Sequence, residues 1–173
     1  EMLIAMEGIE LDLAFMTAAE AFGELRDGDV QGYLGVKAEF EGVPASSPNY
    51  ERALVYIARC LTGAERLDEA AEQFELIEAR AGDPSLEPTN AAARNRREIA
   101  MAQSRYFHAT LLLDERVNRP ADVLAVLEGY ETDVPGQDSF HDLVKLRRIE
   151  AHAMQGDVEA AEAELALLTG QES

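Results

Sequence analysis

The stretch Ala53–Ile77 reads ALVYIARCLTGAERLDEAAEQFELI. Within it Leu54, Ile57, Ala58 and Leu61 recur at the three- and four-residue steps that place side chains on one face of a helix. After Thr62-Gly63 the same steps return in Leu67, Ala70, Phe74 and Ile77. The segment therefore predicts two helices joined by a short turn and packed antiparallel through their apolar stripes. Ala58 and Ala70 are small where two helix axes must approach, and Phe74 is large enough to fill the gap toward the next pair.

Moving outward, three stretches rich in Pro, Gly and Ser divide the chain: 43–49, 82–89 and 134–139. Lesser breaks halve each segment at Asp27-Gly28-Asp29, Thr62-Gly63, Asn118-Arg119-Pro120 and Gly156-Asp157. The segments show helical spacing and no β alternation. They predict four helix–turn–helix pairs over 3–42, 48–82, 90–131 and 139–170, forming one domain across 1–173. Local chemistry marks the expected boundaries. Ser47 before Pro48 reads as a helix cap with proline in the first turn, and Asn118 or Arg119 before Pro120 reads alike. Ser139 with Asp142 resembles a capping box. Gly156 suits a left-handed helix end, with Asp157 capping the next helix.

Taken together, Leu54-x2-Ile57-Ala58-x2-Leu61 followed by Ala70-x3-Phe74-x2-Ile77 resembles the tetratricopeptide repeat. Parts of the pattern return in Gly28-x-Val30 with Ala21 and Phe40, in Val123-x3-Leu127-x2-Tyr130 with Pro135, and in Gly156-x-Val158-x2-Ala161-x3-Leu165-x2-Leu168. The chain departs from the family in having no tryptophan, in units of about 40 to 50 residues where the family has about 34, and in a long helix over 91–113. The resemblance implies an all-α, right-handed α-α superhelix, or solenoid, of about four pairs. It also implies a concave face lined by the first helix of each pair, and a non-catalytic role as a protein-binding scaffold.

Composition narrows the function classes. The 173 residues are 47% hydrophobic, enough to enclose a core in one domain. The net charge of −19, from 34 acidic and 15 basic side chains, repels nucleic acid and anionic lipid and attracts basic partners unless a local patch reverses the sign. No apolar run reaches the length of a membrane span. The single cysteine, Cys60, reads as a small buried residue and permits no internal disulfide. That favours the cytoplasm. The chain opens on Glu1-Met2 without a basic leader, so an excised segment is expected, and a periplasmic location stays open if a signal sequence was removed.

Catalytic patterns are missing. There is no phosphate-binding glycine loop, no G-x-S-x-G elbow and no zinc spacing. His141 and His152 stand three helical turns apart, about 16 Å, too far to chelate one ion within a helix. The carboxylates Asp68, Glu69, Glu72, Glu75, Glu78, Glu159, Glu162 and Glu164 lie opposite apolar stripes and read as solvated helix faces. The expectation is no enzyme, no cofactor and no metal.

The few cations are uneven. Residues 91–110 hold four arginines against Glu98, and residues 140–154 hold three cations against two carboxylates, which leaves −23 on the remainder. Arg94, Arg97, Arg105 and His108 form one helical stripe, Lys145 and Arg148 belong to a second, and Arg52, Tyr56 and Arg59 form a third. Each stripe is expected to face away from its helix's apolar side, on a first helix. Two readings stay open. The stripes line a basic groove for an acidic peptide or terminal carboxylate, or they pair with the acidic second helices. On the first reading, reversing Arg97 and Arg105 to glutamate weakens partner binding without unfolding the chain. A further alternative is a structural subunit that self-associates through its solenoid ends.

Overall fold

The computed structural model describes residues 2–169, with side chains from residue 13 onward except that of Asp138. Glu1 and residues 170–173, including the last residue of the fourth expected pair, lie outside the described residues. The fold is all-helical, with no strand among the described residues. The chain divides into two compact units, Glu1–Ala100 and Met101–Ser173.

In the first unit α1 (Met2–Glu24) is followed by α2 (Val30–Glu41), α3 (Tyr50–Gly63) and α4 (Leu67–Ala81), each packed on the one before it. A 3-10 turn (Pro84–Leu86) leads into α5 (Ala91–Leu113), and the unit boundary falls inside α5. The stripe read in Ala53–Ile77 is the core of this unit. Leu54, Ile57, Ala58, Leu61, Ala70, Phe74 and Ile77 are all buried. Because α3 packs against both α2 and α4, it also buries Ala53, Val55 and Cys60. Gly63 is required at the close of α3, since a Cβ there would stand 2.5 Å from the Tyr33 ring on α2.

In the second unit the latter half of α5 packs with α6 (Pro120–Val126), α7 (Tyr130–Asp133) and α8 (Asp138–Gln155). Their shared core holds Ala102, Ala109, Leu112, Val123, Leu127, Tyr130, Val134, Val144 and Ala151. The last helix, α9 (Val158–Thr169), packs on α8. Gly156 ends α8 at φ +77, and the Asp157 carboxylate accepts from Ala160 N at 3.1 Å, as the sequence predicts.

Three boundaries differ from the sequence reading. Ser47 caps a turn, accepting from Asn49 N at 3.1 Å, and α3 starts only at Tyr50. Ser139 lies inside α8, whose cap position is Gln137, so there is no capping box. The second helix of the third pair is split into α6 and α7, because Gly129 takes φ +67 and interrupts the helical run.

Candidate functional site

A concavity lined by four arginines lies wholly in the first unit. It is a pocket of about 240 Å³ formed where the start of α3, the end of α4 and the start of α5 meet the two proline-containing loops. Ala45, Ser47 and Pro48 line it from the first loop, and Leu86 and Pro88 from the second. Tyr50, Glu51 and Arg52 come from α3, Arg80 from α4, and Ala93, Arg96 and Arg97 from α5. Four arginines thus face one carboxylate, a formal surplus of three positive charges in a chain of net charge −19.

Each arginine reaches the pocket for a local reason. Arg80 occupies the last turn of α4, where a cation complements the helix dipole, and its guanidinium lies 5.3 Å from the Tyr50 ring centre. The Arg52 guanidinium sits 4.9 Å from the Phe15 ring centre on α1. Arg97 holds the framework together. Its Nη1 donates to Leu86 O at 2.8 Å, its Nη2 donates to Arg80 O at 2.7 Å, and its Nε lies 3.5 Å from Glu51 Oε1. Its side chain is only 12% exposed. Arg97 thereby adds a charged donor to Arg80 O in the last turn of α4, a carbonyl that also accepts from Asp83 N at 3.2 Å. Nearby Asp83 has its carboxyl held below the usual range, first by bonds from Ser85 and secondarily by Arg80 and Arg97.

Arg52, Arg80 and Arg96 are different. Among the described residues no carboxylate lies within ion-pair distance of them, and the buried Nε atoms of Arg52 and Arg80 donate no hydrogen bond. In a chain where acids outnumber bases more than twofold, three guanidinium groups thus border one concavity without a carboxylate each.

The structure brings together two of the residues singled out in sequence, Arg52 and Arg97, and adds Arg80 and Arg96. Arg80 is hard to find by helix spacing because it lies at a helix end, 28 residues from Arg52 and 17 from Arg97. Arg96 adjoins Arg97 but falls off its stripe. Arg94 is exposed and outside the pocket lining.

The remaining stripes are corrected by packing. Tyr56 and Arg59 do not lie on a free polar face. Tyr56 stacks on Phe40 with ring centres 4.8 Å apart and an angle of 15°, and Arg59 covers Phe22 at 4.6 Å and Tyr56 at 5.2 Å. Burial lowers the Arg59 pKa. It also pushes the neighbouring Cys60 thiol up to about 12, which keeps the thiol protonated and inert. His108 is buried at 3% exposure, not on a solvent-facing stripe.

In the second unit the cations are matched by carboxylates. Arg105 meets Asp133 at 2.8 Å and Lys145 meets Asp142 at 3.6 Å. Arg148 bonds both Glu131 oxygens, at 2.7 and 3.0 Å, and Leu127 O at 2.5 Å. Arg105 and Arg148 thus pair with carboxylates of α7, and Lys145 pairs with one on its own helix.

The Arg148 bonds hold the Glu131 carboxyl below its ordinary range, against an opposing effect of burial. A lowered folded pKa contributes stability that is complete above the unfolded value of about 4.3 and fades as pH falls through the folded one. Thermal melts should therefore show Arg148→Met less stable than wild type at pH 6, with the gap narrowing below about pH 4. A constant gap across that range would assign the loss to packing alone.

Among the described residues no three His, Cys, Asp or Glu side chains gather as a metal ion would need, and no helix is long and apolar enough to cross a membrane. Comparison with protein-family models, curated proteins and solved structures finds no match for this chain.

Proposed function

We propose that this chain is a non-catalytic, tetratricopeptide-like module of helix pairs that binds a partner protein, and that the arginine pocket of the first unit receives an acidic segment of that partner. The observation that carries this reading is the set Arg52, Arg80 and Arg96, gathered at one concavity without a carboxylate for each. Charge-assisted bonds from guanidinium groups to carboxylates are among the stronger polar contacts available to a surface site. The acidic remainder of the molecule would hold such a segment off every other face, so the pocket supplies selectivity of placement as well as affinity.

The test is fluorescence anisotropy with a labelled glutamate-rich octapeptide. Arg96 contributes to the pocket without a framework bond, so Arg96→Glu should weaken binding by about tenfold, which is about 1.4 kcal/mol. Its thermal midpoint should stay unchanged. Arg119→Glu, an exposed reversal in the second unit, should bind as wild type does. Equal losses in both variants would show only diffuse charge attraction.

A second reading, self-association, has its own support in the exposed Val158, Leu165 and Leu167 of α9. It requires a concentration-dependent dimer in sedimentation equilibrium.

A further inference from the structure

We propose that the group the pocket selects is a phosphate monoester carried by a partner peptide, in preference to a single carboxylate; this rests on the reading that the pocket is where the partner's acidic segment binds. Three observations lead to it. The first is charge. Four arginines against Glu51 leave a surplus of three, and a carboxylate offsets one of these whereas a phosphate monoester carries about −1.5 to −2 near neutral pH.

The second is the number and placement of free donors. Arg97 has committed both its Nη atoms to Arg80 O and Leu86 O. Arg52, Arg80 and Arg96 have not, and they come from three different helices. A planar carboxylate offers two oxygens in one plane, which suits one guanidinium fork. A phosphate offers three terminal oxygens in a tetrahedral spread, which suits three guanidinium groups approaching from different sides. Two of these groups are already steadied on rings, Arg52 over Phe15 and Arg80 over Tyr50, so less freedom is lost on binding.

The third is size. At about 240 Å³ the pocket is smaller than the roughly 300–1,000 Å³ of sites that enclose whole cofactors or drug-sized ligands. It suits one anionic group at the end of a side chain. Tyr50, the aromatic ring in the lining, already has the Arg80 guanidinium 5.3 Å from its centre.

The experiment is an NMR titration of the full chain. Three probes are used: an acetylated, amidated glycine pentapeptide with phosphoserine at its centre, the same peptide with glutamate there, and inorganic phosphate. At pH 7.5 the phosphoserine peptide should bind at least tenfold more tightly than the glutamate peptide and shift the guanidinium signals of Arg52, Arg80 and Arg96. At pH 5 its advantage should shrink, because the second phosphate proton has a pKa of about 6. The charged and titratable groups around the site are Tyr50, Glu51 and Arg52 on α3, Arg80 on α4, Asp83 before the 3-10 turn, and Arg96 and Arg97 on α5. No histidine lines it, and the glutamate peptide run at the same two pH values reports any change in the pocket itself.

Arg96→Glu, with an unchanged thermal midpoint, should lose the phosphoserine peptide; retention by this variant would overturn the site. Equal or tighter binding of the glutamate peptide would overturn the choice of phosphate while leaving the acidic-segment reading intact. Inorganic phosphate binding as tightly as the phosphopeptide would overturn the peptide as its source. Failure of all three probes would overturn this inference and the reading beneath it together.

Discussion

Phe74→Ala should lower the unfolding free energy by about 3–5 kcal/mol, the range for truncating an enclosed phenylalanine. The ring is 0% exposed and sits in the core that α3 and α4 share, with Leu54, Ile57, Ala58, Ala70 and Ile77 also buried there. Removing it deletes the transfer free energy of the ring and leaves a cavity between two helices held at a fixed separation by their small residues. Collapse is resisted because Ala58 and Ala70 already bring the helices close. Urea denaturation followed by circular dichroism measures the loss. Phe74→Leu, which retains most of the volume, should cost well under half as much. A loss below about 1 kcal/mol for the alanine variant would mean that the ring is not enclosed.

Arg97→Ala should cost about 2–3 kcal/mol, more than any other arginine of the pocket. Hydrogen bonds from a charged donor contribute about 1.5–3 kcal/mol each, and the lower end applies where water can replace a lost donor. Leu86 is exposed and Arg80 half-buried, so water can reach part of what the truncation vacates. The bonds to Arg80 O and Leu86 O tie the end of α4 to the loop ahead of α5, and the Glu51 contact ties both to α3. Arg97→Lys keeps the charge near Glu51 but has no planar fork to reach both carbonyls, so it should recover less than half of the loss. Arg96→Glu, one residue away, should change stability by no more than about 0.5 kcal/mol. If Arg97→Ala melted like wild type, Arg97 would belong with Arg96 as a ligand-facing group and the framework role would fall.

The two neighbours show how far the sequence could be read. Both are arginines in the run Arg94-Asn95-Arg96-Arg97, both are on the same helix, and spacing favours Arg97 for the binding stripe. The structure gives Arg97 the framework role and leaves Arg96 uncommitted, because commitment depends on which carbonyls a guanidinium can reach. Those carbonyls belong to Arg80 and Leu86, 17 and 11 residues away. The same blindness applied to Arg52 and Arg59. Helical spacing put them opposite an apolar stripe, but α1 lays Phe15 and Phe22 against them, so the side called polar is an aromatic–guanidinium contact.

By itself the sequence determined the all-helical class, most of the turns and the core of the α3–α4 pair. Those properties follow from local periodicity, from glycine's access to left-handed backbone at Gly156, and from Asp157 at a helix start. Such signals act within a few residues and are written in the order of the chain. Tertiary structure alone decided which cations are neutralised and which remain available. Arg105 and Arg148 meet Asp133 and Glu131 in the second unit, while Arg52, Arg80 and Arg96 come together in the first. The physical reason is that charge pairing depends on distance in space, and packing brings together side chains that no period of 3.6 relates.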